Sequence, residues 1–597
     1  MKTYNERTQS IMEKAEIRKA ENRRNKRWIA ATCCSLAFIL ILSALPFVPW
    51  NQLQKNPSEP DYSNHEYAKL ISALKPFATE DKGSHNDIEM PDLMLPEGVP
   101  STDVAGKYEE ITDNQVDGVI ESDLIKRSDQ YIFYLRSDVL SVYSIAGDAS
   151  REVGVYPFTD TPQVSYTYYA NRQMYLSEDC KTITIITGCY FTENSTANVA
   201  VINLDVSDPG NIIQSSVRYM SGSYLSSRMV DGQLYLMTHY FVPRCPDFQD
   251  ETTYVPQYGL PGEMESVKMQ DICIPDKPNS AMYTVVYRMD GKDLSVKATS
   301  ALLSYAGEIY MSKENIFLTR GYTDVQEKNG ATYRQFMTEI TRLNVALDVV
   351  STYQVAGEIN NQFNLDEYGG ILRIVTTTGG SIVHESTNGE TVSAYIDTIP
   401  SNANLSCISL ETGEMVASVE NFAPEGESVQ SVRFDGDNAY VCTSLVLQDP
   451  VFFFDLSDIN NITYKDTGTI PGYSMSLVDF ADGFLMGVGY GDDFGNMKIE
   501  IYREGTASIE SHCKYERNCG FSDDYKAYYI DRENRFIGLG IRDYENHTER
   551  YLLLFFDGYN LIPVVDEEFD GVAAFKRSVY IDGYLYMFGD SFYVKAI

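Results

Sequence analysis

The chain has 597 residues, 43% of them hydrophobic, and a formal charge of −37. That apolar content is ample for a packed core and excludes a disordered chain, while the negative charge repels polyanions and argues against nucleic acid as a partner. Aromatic usage is skewed: 44 Tyr and 27 Phe, but only two Trp, both within the first fifty residues.

Residues 1–27 carry nine Lys/Arg and four Glu, a net of +5, which leaves −42 for the remainder. Residues 28–48 contain no charge. At ~1.5 Å per residue, such a segment crosses a ~30 Å hydrocarbon core. Trp28 and Trp50 fall at its two interfaces, and Arg23, Arg24, Lys26 and Arg27 place the N-terminus in the cytoplasm. The expected topology is a single-pass protein of the cell membrane: cytoplasmic basic tail (1–27), transmembrane helix (28–48) and everything beyond it outside. A cleaved signal peptide is the alternative. Against it, the region around Ser43-Ala44-Leu45-Pro46 lacks a good small-x-small cleavage site, and the charged prelude is long.

Residues 49–107 read as an extracytoplasmic stalk. Pro57, Pro60, Pro76, Pro91, Pro96 and Pro100 prevent a long helix, leaving one short helix-compatible stretch at 65–77. From 108 to 597 the texture changes to β-branched and Tyr-rich runs separated by Asp-Gly, Asn-Gly and Ser-Asp turns, the pattern of strands throughout. A turn followed by an apolar-aromatic run recurs near Tyr131, Tyr175, Tyr235, Phe317, Leu372, Tyr440, Phe484, Phe536 and Tyr586, with steps of 44 to 82 residues. Such steps suit four-stranded blades with variable loops, and predict an all-β propeller of about seven or eight blades. A second recurrence, Leu204-Asp-Val-Ser-Asp208-Pro and Phe454-Asp-Leu-Ser-Asp458, reads as a strand end running into an Asx-type turn.

Eight cysteines lie beyond the apolar segment. Export permits disulfides, and the close pairs Cys180–Cys189 and Cys513–Cys519 are the candidates; buried free thiols are the alternative. No spacing supplies a zinc site.

Several motifs, taken together, resemble the family of exported bacterial and archaeal β-propeller domain proteins. They include the run Thr112-Asp-Asn-Gln-Val-Asp-Gly-Val-Ile-Glu-Ser-Asp-Leu-Ile-Lys126, then Ser226-Ser-Arg-Met-Val-Asp-Gly232, Ile309-Tyr-Met-Ser-Lys-Glu-Asn315, Asn361-Gln-Phe-Asn-Leu-Asp-Glu367 and Ile470-Pro-Gly-Tyr-Ser474. They occur in order from about 110 to 590. The resemblance implies a fold distantly similar to Trp-Asp-repeat propellers on a secreted or membrane-anchored protein, with no established activity. Val478-Asp479 and Tyr525 stand where the family pattern carries His-Pro and His, so no role of those histidines transfers.

Three basic residues precede turn aspartates: Lys126 before Asp129, Arg228 before Asp231 and Arg433 before Asp435. If the repeats superpose, these side chains line the axial channel and suit an anionic small ligand or a partner's carboxylate. The alternative is that each pairs with acidic neighbours such as Glu121 or Asp123 and fixes blade contacts. Asp566, Glu568 and Asp570 place oxygens at alternate positions before Gly571, but the twelfth loop position is Arg577 rather than a bidentate Glu. Turn chemistry is the simpler reading; no cofactor is predicted, with Ca2+ binding as the alternative. No G-x-S-x-G elbow occurs, and His239, His384, His512 and His547 are scattered along the sequence. The composition and motifs favour a surface-displayed binding module for a protein, peptide or envelope polymer. The alternative is an exported, hydrolase-like enzyme with its site in the propeller channel.

Overall fold

A computed structural model describes residues 65–78 and 114–597 apart from 167–171, 194, 277, 279, 389–390, 446–447, 469, 482, 493–495, 506–507, 523 and 570–575. The basic tail, the apolar segment 28–48 with Trp28 and Trp50, and most of the stalk lie outside the described residues. Among the described residues no helix is long and apolar enough to cross a membrane.

Among the described residues the regular structure is almost entirely antiparallel strand. Eight successive four-stranded meanders span 125–157, 173–221, 223–302, 309–356, 365–419, 428–466, 473–521 and 529–568, and a three-stranded sheet follows at 577–596. Each of the nine markers falls in a different one of these meanders or in the last sheet. Eight lie on the second strand; Tyr175 lies on the first strand of its meander.

The sheets pack face to face in chain order, and the period-2 alternation of each strand explains how. In Tyr131–Leu135, Ile132 and Tyr134 join Val579, Tyr586 and Phe588 of the last sheet, whereas Phe133 and Leu135 join Met174, Ile183 and Ile185 of the second meander. A strand buried on both faces reads as a continuous apolar run, which is why the sequence shows runs rather than a clean alternation. Equivalent clusters join the third meander to the fourth, and so on around to the last sheet. Between the second and third, Tyr175 Oη and Ser227 Oγ are 2.8 Å apart, and Asn203 Nδ2 donates to Gly291 O at 2.9 Å. Because the last sheet packs on the first meander, the succession closes into a ring: a β-propeller arrangement built without Trp. Tyr and Phe fill the places between sheets, as in the Tyr143–Phe592 stack with centroids 4.2 Å apart.

The recurring Asp-x-Ser motif behaves alike in both copies. Ser207 N and Oγ donate to Asp205 Oδ1 at 2.9 and 2.6 Å; Ser457 N and Oγ donate to Asp455 Oδ1 at 3.0 and 2.6 Å. Each Asp ends the third strand of its meander.

Two features stand apart from the meanders. The helix-compatible stretch at 65–77 does form a helix, Ala68–Leu74, with Leu70, Ile71 and Leu74 buried. It is docked rather than extended: Tyr67 Oη donates to Val267 O at 2.9 Å, and its ring meets Tyr254 edge-on. The second is an arm. The hairpins Asn315–Lys328/Ala331–Asn344 and Ile371–Asn388/Thr391–Ser409 run well past their meanders, and their outer parts pair with each other from Ala331↔His384 to Gln335↔Gly380. At ~3.3 Å per residue, the stretch from Gly321 to Lys328 carries its strand about 25 Å beyond Arg320. At Gly380 the backbones approach so closely that a Cβ would stand 2.1 Å from Arg334 O, so only glycine fits.

Neither candidate disulfide is formed: Cys180, Cys189, Cys513 and Cys519 are thiols. Cys513 and Cys519 lie six residues apart on one continuous strand, Ser508–Phe521. At ~3.3 Å per residue they are about 20 Å apart, far beyond the reach of a disulfide. Cys180 sits in the turn before Thr182–Phe191 and Cys189 near that strand's far end, so the same argument separates them.

Candidate functional site

The segment leading into the first meander runs across the inner strands of its neighbours. Ile120–Glu121 pairs antiparallel with the first strand of the third meander, placing Glu121 opposite Arg228. Two residues on, Asp123 exchanges backbone hydrogen bonds with Met174 of the second meander, at 3.2 and 3.0 Å. This path brings two carboxylates, 2% and 3% exposed, into the interior. Burying such charges is tolerable only with full pairing.

Glu121 Oε1 faces Arg228 Nη2 at 3.4 Å and accepts from Gln362 Nε2 at 3.2 Å. Its Oε2 accepts from Tyr525 Oη at 2.9 Å and faces Lys526 Nζ at 3.3 Å. Lys126 Nζ donates to the Glu121 carbonyl at 3.1 Å, and Lys526 Nζ to the Ser122 carbonyl at 3.1 Å. Arg228 also donates to Gln362 Oε1 and, at 2.9 and 2.7 Å, to Ser226 Oγ and Ser227 O. The second acid, Asp123, takes Arg577 Nε at 2.6 Å, and Arg577 Nη1 continues to Asp524 Oδ2 at 2.9 Å.

Short 3-10 turns supply the far partners. Gln362–Asn364, between the fourth and fifth meanders, is held by a capping box between Asn361 and Asn364. Tyr525–Ala527, between the seventh and eighth, is capped by the Asp524 side chain accepting from Lys526 N. Phe363 meets Tyr525 edge-on, centroids 5.9 Å apart. Groups from opposite sides of the ring therefore meet at its centre.

The electrostatics follow from this pairing. Burial pushes the Glu121 carboxyl up, but Arg228, Lys526 and the Tyr525 hydroxyl outweigh it and lower the pKa to about 2. Burial opposes the charge on Arg577, yet Asp123 and Asp524 raise its pKa. An acid ionised throughout the neutral range, with both oxygens engaged, neither gives up nor takes a proton in acid–base chemistry.

The three predicted basic residues occupy equivalent register positions on the first strands: Lys126 opposite Phe133, Arg228 opposite Tyr235, Arg433 opposite Tyr440. They do not form a common ring. Lys126 and Arg228 converge on Glu121, whereas Arg433 lies in the field of Tyr440 and Glu504. Arg228 thus pairs with its acidic neighbour Glu121. Gln362, Asp524, Lys526 and Arg577 carry no local sequence signal as partners, because each meets the site only through closure of the ring.

Asp566 is taken up by two guanidinium groups, Arg517 Nη1 and Arg550 Nε, each at 2.7 Å. Glu568 is exposed on an outer strand, and Asp570 lies outside the described residues. Among the described residues no group of three or more His, Cys, Asp or Glu gathers as a metal site. The four histidines belong to four different meanders.

A family model described as "Beta propeller domain" matches residues 111–594. Uncharacterized proteins of Methanocaldococcus jannaschii and Archaeoglobus fulgidus are 26% and 27% identical over 307 and 255 residues, covering 49% and 42% of this chain. The matches span 44% and 36% of those relatives, so the chain covers less than half of their length. Among solved structures, Saccharomyces cerevisiae Sqt1 matches with a TM-score of 0.31 and 9% identity, over 77% of this chain and 96% of that one. Kluyvelomyces marxianus Hsv2 matches with a TM-score of 0.27 and 8% identity, over 66% and 97%.

Proposed function

We propose, from the premise that this chain belongs to the beta propeller domain family, that it is a binding module displayed outside the cell membrane, with its recognition surface on the projecting arm. Anchorage by 28–48 rests on the uncharged segment, its flanking Trp28 and Trp50 and the +5 tail before it. In this reading the nine sheets are nine blades, eight of four strands and one of three, rather than seven or eight.

One observation carries the choice of surface. The buried charges that converge inside the ring are paired with one another, Glu121 with Arg228 and Asp123 with Arg577, while the two long hairpins leave Val325, Phe336, Tyr395 and Ile396 exposed. A rigid disc that holds out a β-arm suits recognition rather than turnover.

Photo-crosslinkers at Val325 and Tyr395, with Val155 on the first meander as control, test this on intact cells. The expected result is adducts from at least one of the two arm positions and none from Val155. Equal labelling at all three, or none, would overturn the reading.

A further inference from the structure

One face of the arm is chemically distinct. The paired row Asp324, Gln335, Gly380, Ile399 crosses all four strands. Gly380 contributes no side chain to that row, and beside it lies a pocket of about 190 Å³ lined by Asp324, Gln326, Lys328, Tyr333, Gln335 and Ile399. Gln326 Nε2 donates to Asp324 Oδ2 at 2.7 Å, while Lys328, Tyr333 and Gln335 have no side-chain hydrogen bond or ion pair among the described residues. The same face continues to His384, which stacks on Tyr395 with centroids 4.4 Å apart and an interplanar angle of 8°, its Nε2 3.1 Å from Asp397 Oδ2.

The lining narrows the ligand. Lys328 offsets Asp324, so neither an anion nor a cation is drawn by net charge. Ile399 is the single aliphatic residue, which leaves little for an acyl chain. A volume below the roughly 300–1,000 Å³ of pockets for drug-sized ligands admits one ring-sized unit. Around it stand two primary amides, a carboxylate, an ammonium and a phenol, a dense set of donors and acceptors beside one aromatic face. A sugar ring has the matching chemistry: hydroxyls that both donate and accept, and an apolar C–H face to lie on Tyr333.

We infer that this pocket binds one neutral pyranose unit of an oligosaccharide, whose neighbouring units extend over the same face toward the His384–Tyr395 stack. The inference rests on the arm being the recognition surface and names the ligand class for it.

Isothermal titration of the full chain in detergent with cellohexaose and with the N-acetylglucosamine hexamer tests it. Saturable binding of one of them is expected, with Tyr333→Ala and Gln335→Ala each weakening it by about tenfold or more, and Val325→Ser, on the opposite face, leaving it unchanged. Co-sedimentation with purified cell-wall sacculi then separates a wall polymer from a free sugar. No saturable binding of either hexamer, or binding indifferent to Tyr333→Ala, would overturn the inference. If the hexamers fail while Val325 and Tyr395 still crosslink a protein, the arm is a protein-binding surface and the saccharide inference alone falls. If crosslinking fails too, both readings fall.

Discussion

Arg577 and Asp123 stand 454 residues apart in sequence, yet their side chains meet at 2.6 Å, 6% and 4% exposed. The bond ties the last sheet to the segment that leads into the first meander, so it acts as a clasp on the ring. Removing one partner strands a buried charge, and Arg577→Gln or Asp123→Asn is expected to cost on the order of 3–5 kcal/mol. Replacing both with Leu is expected to cost less than the sum of the singles. Urea unfolding of the four proteins measures this; additive losses would mean that the two residues act separately.

Glu121 gives the network a pH signature. Its carboxyl is lowered to about 2, so the stability it supplies is complete above its unfolded value near 4.3 and is lost as pH falls toward 2. The stability gap between the wild type and Glu121→Gln is therefore expected to be widest at neutral pH and to close through that acidic window. Unfolding midpoints against pH report it, and a gap constant to the acid limit would contradict the pairing.

His239 is expected to act in a separate window. Burial lowers its pKa to about 4 against an opposing hydrogen bond to Ala306 O, so the folded state holds the ring neutral. The unfolded chain takes up the proton first, near pH 6.5, and stability falls from there down to about 4. His239→Gln is expected to flatten that part of the pH profile whatever its cost at neutral pH. An unchanged slope would place the proton on another group.

The thiols offer a chemical check. Burial pushes Cys189 and Cys519 up to about 12 and Cys407 to about 11, whereas Cys245 is exposed. Alkylation of the native protein is expected to modify Cys245 rapidly and these three only after unfolding. Peptide mapping reads this out, and a recovered Cys513–Cys519 disulfide would contradict the strand that separates them.

What was legible in the sequence was local. Tyr235 or Tyr440 after a turn marks the second strand of a meander, because that strand is buried on both faces and must be apolar and aromatic. Asp205 and Asp455 announced their turns because the hydrogen bonds involved span only two residues. Arg228 was visible as a basic residue at a repeating position, and Glu121 as an acid within its reach. Arg577 and Lys526 were not visible as partners, since only ring closure brings them to Asp123 and Glu121. The arm was missed for a related reason. The steps from Phe317 to Leu372 and on to Tyr440 suit blades with variable loops, and the cross-pairing at Gly380 depends on two hairpins from different meanders extending by similar lengths.

The division of labour between ring centre and arm is tested most directly by two variants of the full chain, assayed for binding to isolated cell envelopes. In one, the arm is shortened to tight turns at 321–337 and 379–401; in the other, Glu121→Gln and Arg228→Gln neutralise the central pair. Unfolding midpoints of both establish that each is folded at the assay temperature. The account predicts that the shortened-arm protein loses envelope binding while the neutralised protein, though less stable, retains it. Binding that survives without the arm and disappears with the central charges would contradict it.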